Sequence, residues 1–372
     1  IDAVRQAAAD GRTLRLRGGG SKDFWGQSLT GEVLSTRDYR GIVSYEPSEL
    51  VVTVRCGTPL AELEATLAEK GQCLAFEPPH FGPGATVGGM VAAGLSGPAR
   101  ATAGAVRDYV LGAKFINGLG EHLTFGGQVM KNVAGYDVSR LLAGSWGTLG
   151  LITEVSLKVL PVAPAEAYLM CQLPQDQALA LLHRWGGQPL PLNASCWVKD
   201  TRAPGQPNML FIRLRGAHAA VEAAKVRMSQ DVAALKSELI EQAAESAAQD
   251  WLASADQRLP FFTENTASPE LALWRLSVPQ TAPVIEVPGL SAAAQYIEWQ
   301  GAQRWLWAPM DAAPAIHAAA QRAGGAAQCF RSVGPRDGSV FAPMPEALLR
   351  IQRALQEQFD PQGVFATGRM GH

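Results

Sequence analysis

Glycine is the constraint that bears hardest on this chain. Sixteen of its 38 glycines fall in the 69 residues from Gly82 to Gly150, about three times the ordinary usage of roughly 7%. Each such position permits a positive φ or a close backbone approach that a Cβ obstructs. The spacing is irregular, and strand-like and helix-like segments interrupt it, so neither a flexible linker nor a periodic repeat accounts for it. Two readings stand at this level: a backbone cradle for a large ligand, or a set of tight turns in an α/β core.

Size and charge narrow the classes. A chain of 372 residues exceeds one ordinary core, which predicts two lobes of about 150 to 200 residues each. The net charge of −2, with acids and bases interspersed, argues against a nucleic-acid groove or a polybasic membrane patch. The sequence has no apolar run of membrane-spanning length and starts in a helix-like Ile1-Asp2-Ala3-Val4-Arg5 pattern, so the expectation is a soluble chain without direct membrane insertion. Cys56, Cys73, Cys171, Cys196 and Cys329 are widely separated and odd in number. They read as reduced structural thiols of a cytoplasmic protein.

Residues 1 to 10 predict a short helix, followed by the strand Thr13-Leu14-Arg15-Leu16 and the loop Arg17-Gly18-Gly19-Gly20-Ser21-Lys22. Three glycines after a strand can form a nest of N–H donors for an anion, with Arg17, Ser21 and Lys22 adding donors, or simply a surface turn. The loop is neither a Walker A sequence nor a G-x-G-x-x-G fingerprint. Strand-like segments at Val33 to Ser35, Ile42 to Tyr45 and Leu50 to Arg55 read as neighbours in one sheet. Thr58-Pro59 reads as an N-cap and first helical residue, and Gly71 as the stop.

Gly84 to Gly94 predicts a turn feeding a short helix of small residues, which lets a ligand lie against backbone. A strand from Tyr109 to Ile116 turns at Asn117-Gly118 toward Glu121 to Phe125, and a glycine loop at 144 to 150 feeds the strand Leu151 to Val159. From 165 to 335 the chain is alanine-rich and holds seven of the nine tryptophans. Strand-then-helix occurs there twice, at 210 to 227 and 303 to 322, which predicts an α+β lobe with a loose internal duplication. Tyr296 to Trp299 and Arg304 to Trp307 can pair as a hairpin that puts Trp305 and Trp307 on one face, as core packing or as a substrate-facing wall. A helix at Glu346 to Gln358 precedes a tail whose Asp-Pro and Gly punctuation indicates an ordered turn.

The chemistry missing from the sequence is informative. The six histidines show no metal-binding spacing, and no metal ligands are predicted. Ser145 sits in Ala143-Gly144-Ser145-Trp146-Gly147, which departs from the nucleophile elbow at its first position. Backbone-donor loops at 17 to 22, 84 to 89, 104 to 108 and 144 to 150 remain. Several such loops suit a ligand with a diphosphate and two ring systems.

The segments Arg17 to Ser21, Ala85 to Gly89, Val106 to Gly112, Lys131 to Asp137 and Gly144 to Glu154 together resemble the FAD-binding domain of the vanillyl-alcohol oxidase or PCMH flavoproteins. Asp360-Pro361-Gln362-Gly363-Val364-Phe365 with Gly368-Arg369 resembles that family's C-terminal signature. Within the family the likeness is greatest to the FAD-binding subunits of bacterial glycolate oxidase, over Phe125 to Asp137 and at Gly144-Ser145-Trp146-Gly147. The resemblance implies an α+β, two-lobed protein: a PCMH-type FAD-binding domain at 1–164, a smaller α+β cap at 165–335, and a C-terminal segment at 336–372 that returns to the FAD domain.

It also implies roles. Arg17, Gly18, Gly19, Gly20, Ser21 and Lys22 would hold the FAD pyrophosphate. Thr86, Gly88 and Gly89 would lie along the diphosphate and flavin, and Arg107 with Asp108 would border the flavin side. Gly144, Ser145, Gly147, Thr148, Gly150 and Ile152 complete the set, with Gly147 to Ile152 facing the adenosine half. No histidine stands in the loop at 17 to 22 and no other covalent attachment motif is evident, so the FAD is expected to be non-covalent. The expected partners are a catalytic flavoprotein subunit and an iron–sulfur subunit of one complex. That complex acts on a small 2-hydroxy acid and is cytoplasmic, reaching the inner face of the membrane only through partner subunits.

Two departures shape the expectation. Catalytic relatives that oxidise glycolate or D-lactate carry glutamate where this chain has Trp146, and a H-x-G-D-G-N-x-H motif in the cap that this chain lacks. Ala366-Thr367 stands where many relatives have Asn-Pro. An accessory FAD-binding subunit is therefore expected, with no catalytic residue named. A stand-alone flavin-dependent 2-hydroxy-acid dehydrogenase and a structural subunit with little FAD are the alternatives.

Overall fold

The computed structural model describes every residue except 128–135, 202, 266, 267, 269, 334, 335, 337–339 and 372, and the side chain of 293. Most of the segment Lys131 to Asp137, part of the resemblance above, lies outside the described residues. The chain forms two compact units: residues 1–96, 104–162 and 343–372 make the first, and 97–103 with 163–342 the second.

The first unit is built on a five-stranded antiparallel sheet in the order Ile42–Glu46, Val51–Arg55, Leu151–Lys158, Val110–Ile116, His122–Gly126. Val52, Val54, Val155 and Leu157 are fully buried beside Leu60, Leu63 and Leu67 of the helix Leu60–Ala68 and Val87 and Val91 of the helix Val87–Ala93. The strand Glu32–Ser35 departs from expectation. It pairs in parallel with Leu14–Arg17 in a separate two-stranded ladder, Arg17 opposite Ser35. Parallel pairing needs a crossover rather than a hairpin, and the loop from 18 to 31 supplies it, so the short turns that follow say nothing about this strand. Thr58 does not cap the next helix either; Pro59 occupies that position, and the Thr58 hydroxyl accepts from Gly41 N at 2.9 Å.

The tail closes this unit. Phe359 accepts from Gly118 N, and Val364 O from Leu14 N at 2.7 Å. The Asp360 carboxylate accepts from the amides of Val364 (2.8 Å) and Phe365 (2.7 Å), which fixes the turn. Val364 and Phe365 then join Val4, Ala7, Leu14 and Ile116 in a second, smaller core.

The second unit is an eight-stranded sheet in the order Ile240–Glu241, Ala165–Gln172, Asn208–Gly216, Leu192–Lys199, Tyr296–Glu298, Gln303–Pro309, Leu271–Ser277, Ala326–Arg331. Numbered within each half, the strands run 4-1-3-2 and then 2-3-1-4. Each half thus has the strand order of a split βαβ motif, and the halves join through their second strands, Cys196 opposite Glu298. The duplication expected from the sequence is this one. The first half carries both crossover helices, Gln175–Gly186 and His218–Ala233; the second keeps only Ala313–Arg322. Its first crossover is the stretch 278–295, which in place of a helix has a bridge between Val287 and Leu290 and a 3-10 turn at Ala292–Ala294. Arg304, with no solvent exposure, holds that stretch by donating to the carbonyls of Pro283 (2.9 Å), Ala282 (2.8 Å) and Gly301 (2.9 Å).

The 296–298 and 303–309 strands pair as expected, Tyr296 opposite Trp305. Trp305 packs edge-on against Phe262 and Phe330, and Trp307 Nε1 donates to Phe261 O at 2.7 Å. That face is covered by the helix Pro260–Thr263, the packing reading of the aromatic pair.

Candidate functional site

The loops singled out by glycine converge in the first unit on one cleft. The parallel ladder explains half of it: two strands ending at the same edge bring Gly18 and Thr36 side by side, with Thr36 N donating to Arg17 O at 3.0 Å. Gly18 to Lys22 then form one wall. A Cβ on Gly19 would overlap the carbonyl oxygen of Gly84, so only glycine lets these two loops meet backbone to backbone. Lys22 is buried, with Nζ 3.4 Å from His80 O and 5.5 Å from the centroid of Phe81. Arg17 Nε pairs with Asp23 at 2.7 Å.

The facing wall is the start of the helix Val87–Ala93. Thr86 caps it, its Oγ1 accepting from Gly89 N at 3.3 Å. Gly88 N donates to Cys56 O at 2.8 Å, and a Cβ there would sit 2.6 Å from the Cys56 Cβ. Burial pushes the Cys56 thiol up to about 11, so at neutral pH it is an inert part of the wall. The third side is Trp146, Gly147, Gly150, Leu151 and Ile152. Trp146 takes φ +56°, uncommon for a bulky residue. It is held there by its N–H on Ala92 O, by Trp25 at 4.3 Å, and by the Arg369 guanidinium 4.1 Å from its ring. Arg369 in turn donates to Lys22 O (2.6 Å) and Trp25 O (2.8 Å).

Of the residues expected from the sequence, Arg17 to Lys22, Thr86, Gly88, Gly89, Gly147, Gly150 and Ile152 line this cleft. Five do not. Asp108 accepts from Ala105 N at 2.8 Å and, with Arg107, belongs to the one-turn helix Val106–Tyr109. Gly144 donates to Val91 O, Ser145 Oγ to Leu142 O and Thr148 Oγ1 to Ser145 O, so these three shape the loop behind the wall. Thr36, Cys56, Trp146 and Arg369 line the cleft without having been assigned to it. Arg369 had a signal in Gly368-Arg369; Thr36 had none short of the parallel register.

Chemically, the cleft offers backbone donors, three cations (Arg17, Lys22, Arg369) and one carboxylate, Asp23, already paired with Arg17. Glycine-lined backbone with cations at one end suits an extended anion.

The family model described as "FAD binding domain" matches residues 1–126. The chain is 44% identical over 370 residues to glycolate oxidase subunit GlcE of Escherichia coli K12, covering 100% of this chain and 96% of that protein. It is 31% identical over 159 residues to a mitochondrial D-lactate dehydrogenase (cytochrome) of Arabidopsis thaliana, which is 42% of this chain and 28% of that one. Among solved structures, alkyldihydroxyacetonephosphate synthase superposes with a TM-score of 0.69 at 15% identity, over 98% of this chain and 74% of that one, a likeness of fold.

Proposed function

This chain belongs to the family of glycolate oxidase subunit GlcE, among the PCMH-type FAD-binding flavoproteins, and from that premise we propose that it is the FAD-binding subunit of a 2-hydroxy-acid oxidase complex. The observation that carries the reading is the convergence of the loops at 17–22, 86–93 and 146–152 with Arg369 on one cleft. The cradle fits the group: glycine where backbones touch, and backbone donors with Lys22 and Arg17 where a diphosphate would lie.

In this proposal the nest at Gly18 to Ser21 with Lys22 takes the pyrophosphate, and Thr86, Gly88 and Gly89 lie along the diphosphate and flavin. Gly147 to Ile152 meet the adenosine half, and Arg369 locks the first wall to the third. The bound flavin supplies hydride acceptance. The protein's residues orient it and exclude water, and Asp23, tied to Arg17, is not placed as a base. An accessory role follows, with a catalytic flavoprotein subunit and an iron–sulfur subunit as partners and a cytoplasmic location. Among the described residues no helix is long and apolar enough to cross a membrane.

The test is to purify the chain alone, record its visible spectrum, and assay glycolate and D-lactate oxidation with an artificial acceptor. A yellow protein without substantial turnover is expected. Substantial turnover by the isolated chain would replace the accessory reading with the stand-alone enzyme. A colourless protein that cannot be reconstituted with FAD would leave only a structural role.

A further inference from the structure

The face of the second unit's sheet opposite its crossover helices carries a cluster that the cleft does not use. Trp299 is buried and donates through Nε1 to Gly97 O at 2.9 Å. Two guanidiniums lie over its ring: Arg100, 4.5 Å from the centroid, and Arg275, 5.2 Å away and also 5.8 Å from Trp305. Trp299 and Gln300 both adopt positive φ, +53° and +56°, and strain of this kind persists only where the surroundings impose it. The indole is thus fixed under the two cations.

Like charges brought together in a partly dry place repel. Burial, with the charge of Arg100, brings Arg275 down to about 10. The nearby carboxyl does not pair with it. Arg275 Nε donates to Gln303 Oε1 at 2.7 Å, and Gln303 Nε2 donates to Glu298 Oε2 at 2.8 Å, an oxygen that also accepts from Trp305 Nε1. The amide of Gln303 therefore stands between cation and acid. The two terminal amino groups of Arg275 donate to no described residue. A planar fork with both tips open, a second cation beside it and aromatic faces below is the arrangement that takes a carboxylate through two parallel hydrogen bonds.

We propose that Arg275 and Arg100, over Trp299, form a binding site for a small carboxylate, with the terminal amino groups of Arg275 as its two-pronged donors. The site lies wholly within the second unit; the proposed function enters only in the choice of glycolate as one probe.

The experiment is calorimetric titration of the full-length chain with oxalate, glycolate, acetate and inorganic phosphate in separate arms, with FAD content recorded for each sample. One saturable site for oxalate or glycolate is expected, weakened about tenfold or more by Arg275→Gln and less by Arg275→Lys. FAD content should not change. No saturable carboxylate binding by the unsubstituted chain, or equal binding by Arg275→Gln, overturns the proposal; phosphate binding as tight as oxalate overturns the carboxylate assignment. Should Arg275→Gln not fold, by near-ultraviolet circular dichroism, two measurements decide: Arg100→Gln should weaken oxalate, and in the unsubstituted chain oxalate should slow modification of Arg275 by phenylglyoxal. Unchanged modification counts against the site. A chain without FAD that still binds oxalate would sink the proposed function alone, whereas one with FAD and no oxalate binding would sink this inference alone.

Discussion

Arg369 makes a demanding prediction because its described contacts tie the tail to the cleft. Its guanidinium donates to two main-chain carbonyls, Lys22 O and Trp25 O, and lies over Trp146, at a position only 8% exposed. A hydrogen bond from a charged donor contributes about 1.5–3 kcal/mol, and a cation–π contact about 0.5–2 kcal/mol. The three share one side chain and do not add fully, so Arg369→Ala should cost about 3 kcal/mol of tail docking. That corresponds to roughly a 150-fold change in the docked-to-undocked ratio. The readout is local. Gln27 N donates to Arg369 O and Thr30 N to Thr367 O, so hydrogen exchange at these two amides should accelerate by up to that factor while the amides of Val52 and Val54 in the sheet keep their protection. Bound FAD should fall in parallel. Arg369→Lys, which keeps the charge and loses the fork, should sit between. Unchanged exchange at Gln27 and Thr30 in the alanine variant would refute the idea that this side chain holds the tail to the cleft.

Three further outcomes rest on other contacts. Gly19→Ala should abolish FAD retention, read by visible absorbance, because its Cβ meets the Gly84 carbonyl; Gly187→Ala, whose Cβ meets nothing nearer than 3.7 Å at a φ of −89°, should retain FAD, and equal retention by both would refute the close-contact argument. Arg304→Met should lower the denaturant midpoint by an amount equivalent to about 3–5 kcal/mol, since two buried carbonyls and a part-buried one lose a charged donor; a loss under about 1 kcal/mol would mean the 278–295 stretch is held by something else. Burial raises the Glu298 carboxyl from its ordinary 4.5. Above that pH the folded state then binds more protons than the unfolded one, so stability should decline as pH rises until the folded carboxyl ionises. Glu298→Gln should flatten that slope in thermal unfolding scans; a slope that persists assigns it to another group.

The cradle was legible in the sequence because glycine records a backbone contact directly: Gly18, Gly19 and Gly88 are glycines for reasons visible in the distances around them. Elements joined by hairpins were legible too, as at Asn117-Gly118 and between Tyr296 and Trp305. What escaped was whatever depends on partners far away in the chain. Thr36 joins the cleft only through a parallel register across the loop at 18–31, and Thr58 fails as a cap because its hydroxyl finds Gly41 first. Strand order in the second unit was hidden because Tyr296–Glu298 is three residues long and a loop stands in for a helix. The Arg275 and Trp299 cluster left no local pattern at all, being assembled from segments around 100, 275 and 299–305.

The latch between Arg369 and the loop at Lys22 has a consequence for how the protein is made. The two contacting residues are 347 positions apart, and domains begin to fold while synthesis is under way, at about 5–20 residues per second. For tens of seconds the loop at 17–22 can exist without the side chain that pins it, and the second unit is translated in the interval. On the proposed function, stable FAD retention is expected only once residue 369 has been made. A chain broken off before that residue lacks the bonds to Lys22 O and Trp25 O, and its flavin retention should be weak.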